Sequence, residues 1–136
     1  MRATDYNAEQ FYPTPEALGR QMARQLKGNV KSVLEPSAGK ADLIKAIKSE
    51  YRWGCPYKFY TCEISPELTH ILTGEGYPVI GNDFLEFEPR GYVFDAVVMN
   101  PPFSNGIDHF MKAWEVVKEG GQVVCLLNES ALDKLL

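Results

Sequence analysis

Asn100-Pro101-Pro102-Phe103 directly follows the run Asp95-Ala96-Val97-Val98-Met99. From Val93 to Met99 the chain is nearly all apolar, as a strand covered on both faces is. The two prolines fix the chain after that strand and remove two backbone donors. What remains is acceptors: the Asn100 side-chain oxygen and nearby carbonyls, beside the flat apolar face of Phe103. An exocyclic amino group on a planar base fits such an arrangement. Its lone pair is delocalised into the ring, so it is a poor nucleophile. Two acceptors aimed at its hydrogens stabilise the positive charge that develops as it attacks a methyl group. Phe103 would stack on the base, worth about 1–3 kcal/mol by analogy with single-strand binders. A proline-rich turn that merely closes a strand is the plainer reading, and the tetrapeptide's place among the other clusters speaks against it.

Three further clusters each follow an apolar run. Glu35-Pro36-Ser37-Ala38-Gly39-Lys40-Ala41-Asp42 is a small-residue turn that lets a ligand approach the backbone ahead of a helix. It lacks the GxGxxG spacing of dinucleotide-binding turns, which disfavours NAD. Cys62-Glu63-Ile64 places an acid 28 positions after Glu35. A carboxylate there can accept both ribose hydroxyls of an adenosine ligand, or simply be a solvated acid before a helix cap. Gly81-Asn82-Asp83-Phe84 offers an acid for an adenine amino group and an aromatic to cover its face, although Asn-Asp in a loop is also ordinary turn chemistry.

The elements that must position these clusters alternate. Thr14 caps and Pro15 opens a first helix, with Ala17, Leu18, Met22 and Leu26 inward and Gly28 as its stop. Strands are expected at Ser32–Pro36, Tyr57–Ile64, Val79–Ile80, Val93–Met99 and Gln122–Leu127. Helices are expected at Ser37–Tyr51, from Ser65-Pro66 to near Gly74 or Gly76, and at Asp108–Glu119. Phe110, Met111, Trp114 and Val117 form the stripe of the last helix, and Gly120-Gly121 breaks it. Strands alternating with helices of about three turns predict an α/β, doubly wound, mostly parallel sheet of about five strands. Ligands in such sheets sit beyond the carboxyl ends of the strands, where all four clusters fall.

With these residues in view, the sequence resembles a class I S-adenosylmethionine-dependent methyltransferase. Within that class it is most similar to the adenine-N6 DNA methyltransferases, from about Phe11 to Leu127. The resemblance implies a Rossmann-like sheet in the order 3-2-1-4-5 and S-adenosylmethionine as cofactor. Asn100-Pro101-Pro102-Phe103 matches the catalytic (N/D)PP(F/Y/W) motif; Asn100 and the Pro101 carbonyl would bind the target amine and Phe103 would stack on the base. Glu35, Pro36, Ser37, Ala38 and Gly39 match the first cofactor motif. Glu63 and Ile64 fall at the ribose-binding acidic position, and Asp83 and Phe84 beside the cofactor adenine. Phe11, Tyr12 and Thr14 belong to a segment that helps hold the methionine end of the cofactor, which Asn100 also adjoins. Two departures stand out. Ala41 occupies a position where the family often has glycine, so the cofactor loop is expected to loosen or tilt. The family sheet usually has seven strands, so the core is expected to be short at its C-terminus, with a helix beginning at Ala131. Related amine- or amide-methylating enzymes act on RNA guanine or protein glutamine through similar motifs. An incomplete, non-catalytic cofactor-binding subunit is the reading from a different class.

Composition bounds these readings. A chain of 136 residues supports one domain, 1–136, in which the polar residues 1–10 are expected to be flexible. Hydrophobic residues at 45% and charged residues at 24% suit a soluble core. No apolar stretch approaches the roughly 20 residues of a membrane helix, and no signal segment is recognised, which makes the cytoplasm the expected compartment. The three cysteines are widely spaced without a CxxC pair, so neither a metal site nor a disulfide framework is expected. The net charge of −4 disfavours a wholly basic nucleic-acid surface, yet Arg20–Lys58 carries nine Lys/Arg against three acids. That bias reads as a solvated face. The expected partners are DNA, or RNA, and a second chain or second copy that completes the sheet or target recognition.

Overall fold

The computed structural model describes residues 14–127 and residue 133. Its elements are α1 (Glu16–Gln25), β1 (Ser32–Glu35), α2 (Asp42–Ser49), β2 (Lys58–Cys62), α3 (Pro66–Gly74), β3 (Val79–Gly81), β4 (Phe94–Met99), α4 (Gly106–Val116) and β5 (Val117–Cys125). Short 3-10 turns at Phe84–Glu86 and Phe103–Asn105 follow β3 and β4. The five strands form one parallel sheet in the order β3-β2-β1-β4-β5, as expected. β1 and β4, the central strands, are buried through Val33, Leu34, Ala96, Val97 and Val98, and alternate side chains feed opposite faces. One face packs Val33, Phe59, Ala96 and Val98 against Met22, Ala23, Ile44, Ile47 and Leu72 from α1, α2 and α3. The other packs Leu34, Cys62, Val97 and Met99 against Phe84, Phe87, Ala113 and Val116.

Several boundaries differ from the sequence reading, each for a local reason. Pro15, not Thr14, is the N-cap of α1, and no side chain caps it; Gly19, Met22 and Ala23 face inward while Ala17 is exposed. The helix is over by Leu26, which is already extended, two residues before Gly28. α2 starts at Asp42 rather than Ser37, because Gly39 (φ +55) and Ala41 (φ +67) hold the preceding loop in left-handed turns. The Ser65-Pro66 start of α3 is as read: Ser65 Oγ accepts the Leu68 N–H at 3.3 Å. α4 begins two residues earlier than Asp108, and its inward side is Gly106, His109, Ala113 and Val116. Met111 and Trp114 are 54% and 63% exposed, and Val117 already belongs to β5. Gly120-Gly121 lies within β5, not between elements. Val117 pairs with Phe94 and Gln122 with Ala96, so Lys118–Gly121 bulge opposite Asp95. A Cβ on Gly121 would come within 2.8 Å of the Asp95 carbonyl, so only glycine fits the bulge.

The amino ends of the strands are locked by polar contacts. Asp95 Oδ2 accepts the Lys31 and Ser32 N–H groups at 2.8 and 2.9 Å, and its Oδ1 pairs with Lys118 Nζ at 2.8 Å. Ser32 Oγ accepts the Asp95 N–H and donates to the Val93 carbonyl. Gln122 grips the Lys27 main chain through both its amide atoms. The carboxyl ends carry the four clusters.

Candidate active site

Glu63 organises this rim. It is 2% exposed, and its Oε1 accepts the Gly39 N–H at 2.8 Å while Oε2 accepts the Ser65 N–H at 2.8 Å. One carboxylate thereby ties the loop after β1 to the start of α3. Each oxygen keeps a second lone pair for another donor. The Ala38 N–H bonds the Cys62 carbonyl at 3.2 Å, closing the loop against β2. Ala41 is fully buried at the turn into α2, and its N–H bonds the Ala38 carbonyl at 2.8 Å. The position where the family favours glycine is thus left-handed. A methyl group there costs about 1–2 kcal/mol of backbone strain, and the loop keeps its closing bonds.

Glu35 is the least satisfied group. It is 2% exposed; Oε1 accepts the Ser37 N–H at a long 3.4 Å, and Oε2 has no hydrogen-bond partner. Burial pushes its carboxyl well above the usual range, opposed by the Ser37 bond and aided by the nearby Glu63 charge. The Cys62 thiol is pushed up to about 12, by burial first and then by Glu35 and Glu63, so it is inert.

A cleft of about 150 Å³, open to solvent, runs along the rim. Pro36, Ser37, Glu63, Ile64, Asp83, Phe84 and Pro102 of the expected set line it, together with Asn82, Leu85, Asn105 and His109. None of these lining residues is Lys or Arg, so the cleft is poor for phosphate and suited to a neutral or cationic ligand. Asp83 Oδ1 accepts the Leu85 N–H at 3.0 Å, capping the turn that places Phe84. Phe84 is 2% exposed and packs between Phe87 and His109, at ring centroids of 6.3 and 5.9 Å.

Asn100 lies at the end of β4, outside the cleft's lining. Its Nδ2 donates to Thr14 Oγ1 at 3.4 Å, which leaves its amide oxygen as an acceptor. Thr14, expected as a helix cap, is instead buried against the motif. Pro101 and Pro102 are buried, and Phe103 opens the 3-10 turn. Phe11, Tyr12 and the Phe103 side chain lie outside the described residues, as do residues 1–10 and most of the helix expected from Ala131. Asn105 and His109 were missed by sequence reasoning. Beginning α4 at Gly106 would have set His109, Ala113 and Val116 on one inward stripe.

Three of the nine basic side chains of the Arg20–Lys58 segment are paired with acids. Arg20 and Arg24 converge on Glu50, and Lys45 pairs with Glu75. No helix among the described residues is long and apolar enough to cross a membrane.

No protein-family model and no curated protein matches the chain. Solved structures do match its fold. A methyltransferase subunit of a type I restriction-modification system from Streptococcus thermophilus has a TM-score of 0.69 at 14% identity, over 89% of this chain and 35% of that one. TrmN from Thermus thermophilus has a TM-score of 0.68 at 19% identity, over 91% and 41%. The 23S rRNA methyltransferase ErmE has a TM-score of 0.63 at 19% identity, over 88% and 49%. The chain therefore has the class I methyltransferase fold, and it spans 35–49% of the length of these three structures.

Proposed function

We propose that the chain binds S-adenosylmethionine along the cleft and takes part in methyl transfer to the N6 amine of adenine in DNA. The observation that carries this reading is Asn100. It stands immediately beyond the central strand β4, with its amide nitrogen engaged by Thr14 and its oxygen left to accept. The residues present fit the cofactor. The buried Glu35 oxygen without a partner is left to bond a ligand group, and Glu63 and Asp83 supply acceptors along the cleft. When bound, the cofactor supplies a methyl group on a positively charged sulfur.

The chain's own residues do the rest by placement. Asn100 Oδ1 and the Pro101 carbonyl would accept the two hydrogens of the target amine and favour the charge growing on its nitrogen. Phe103 would stack on the target base. Holding amine and methyl group in line removes the entropy of a bimolecular encounter, with no covalent link to the protein. A base in duplex DNA has to be flipped out to reach Asn100, which demands surface for gripping DNA. DNA and a second chain or second copy are therefore the proposed partners. Likeness to an rRNA methyltransferase keeps RNA as the competing acceptor.

Labelled methyl donor offered with DNA, RNA and protein, to wild type and Asn100→Ala, tests the reading. Label should enter DNA adenine and fall by at least about a hundredfold in the variant. Unchanged adenine methylation by Asn100→Ala would remove the role assigned to that side chain, and label in RNA or glutamine alone would move the acceptor.

A further inference from the structure

The cleft contains a polar atom that the fold leaves unsatisfied and that no sequence motif marks. Asn105 ends the turn that Phe103 opens and lines the cleft beside Pro102 and His109; its Oδ1 is buried without a hydrogen-bond partner. Asparagine in a turn ordinarily spends this oxygen on a nearby backbone N–H. Asn105 does not. Its main chain is held instead: His109 Nδ1 lies 3.0 Å from the Asn105 carbonyl. A carbonyl only accepts, so Nδ1 donates. The His109 ring is itself fixed, 7% exposed and packed on Phe84. A rigidly backed, desolvated acceptor on a ligand wall asks for a donor from the ligand.

The rest of the wall says which donor. Ile64 and Pro102 offer apolar surface to a flat ring, Glu63 and Asp83 offer acceptors, and no lining residue is Lys or Arg. Asp83 already spends Oδ1 on Leu85. The matching ligand is a flat ring with an amino group on its rim.

We propose that Asn105 selects adenine in the cleft, its side-chain oxygen accepting a hydrogen from the amino group of the cofactor's purine, and that His109 is the positioning residue holding it there. This rests on the S-adenosylmethionine reading above. Hypoxanthine carries an oxygen where adenine carries the amino group, so it would set acceptor against acceptor.

Isothermal titration of the full chain with S-adenosylhomocysteine and S-inosylhomocysteine tests the assignment. Wild type should prefer the adenosyl ligand by at least about tenfold, as sites built around a hydrogen bond reject analogues lacking it. Asn105→Leu, similar in volume, should bring the ratio close to one, while Asn105→Asp, which keeps the acceptor, should preserve it. Asn105→Ser, too short to reach, gives the same reading as Asn105→Leu if that variant does not fold. His109→Phe keeps the ring packing, loses the bond to Asn105, and should narrow the ratio. A preference unchanged in Asn105→Leu or Asn105→Ser overturns the role of Asn105 and leaves the cofactor reading standing. Wild type that binds neither ligand overturns both.

Discussion

Replacing Gly19 by alanine sets two known effects against each other. Gly19 lies in the middle of α1, where alanine is the better helix former by about 1 kcal/mol. A Cβ built on Gly19 would, however, sit 2.2 Å from the Ala46 Cβ and 3.3 Å from its Cα. Carbon atoms in contact prefer about 3.5–4.0 Å, so α1 has to retreat from α2 by about 1.3 Å or more. Nothing flexible can yield instead, because the obstacle is a buried alanine on a helix. Overpacking of this kind costs about 1–3 kcal/mol, at the upper end here, so the net loss is about 2 kcal/mol. For a chain of this size that is a fall in Tm of about 6–8 °C. Thr14 precedes the same helix, so the retreat also strains its already long contact with Asn100. Thermal unfolding by circular dichroism, with methyl transfer measured in parallel, is the assay. A raised Tm would mean that helix propensity wins and that α1 and α2 are not as close as described.

Two other perturbations follow from charge. Asp95→Asn should lower stability at neutral pH by about 1–2 kcal/mol, through loss of the Lys118 pair and weaker bonds to Lys31 and Ser32, without affecting cofactor binding. The Lys118 bond and the two backbone donors hold the Asp95 carboxyl far below its usual range, so the difference from wild type should shrink as pH falls below about 4 in urea titrations. A gap that persists undiminished at pH 2–3 would count against this. Glu35 has the opposite sign. Its raised value means that, above the ordinary carboxylate pKa, the folded chain holds a proton that the unfolded chain has released. Ligand-free stability should therefore decline as pH rises from about 4, and Glu35→Gln should flatten that slope; an identical slope in both proteins would refute it.

The strands of the parallel sheet were legible because each central strand is an apolar run ending in small or polar residues, whereas their order followed only from the resemblance; Ser65-Pro66 announced α3 without ambiguity. Other features were hidden for physical reasons. Periodicity weighs residues by hydrophobicity, so Met111 and Trp114 claimed the inward stripe of α4 although His109 takes it. Ala41 gave no sign of a left-handed turn, since that conformation is ordinarily glycine's. Gly120-Gly121 looked like a break and is a bulge, because what demands glycine there is the Asp95 carbonyl of the neighbouring strand. The site was half legible. The carboxyl-end clusters converge on one rim, but the bond between Thr14 and Asn100 joins residues 86 apart and leaves no local pattern. Asn105 was invisible because its interest lies in a bond it does not make.

The lock of Asp95, Ser32, Lys31 and Lys118 has a consequence for how such a chain can change over generations. It clamps the sheet at the end away from the cleft, through residues that do not line the cleft. Mutational drift along the cleft rim can then explore new ligands or acceptors while the far end keeps the strands in register. A laboratory lineage selected for a new methyl acceptor should accumulate its changes around Asn100–Asn105 and leave the Asp95 lock intact.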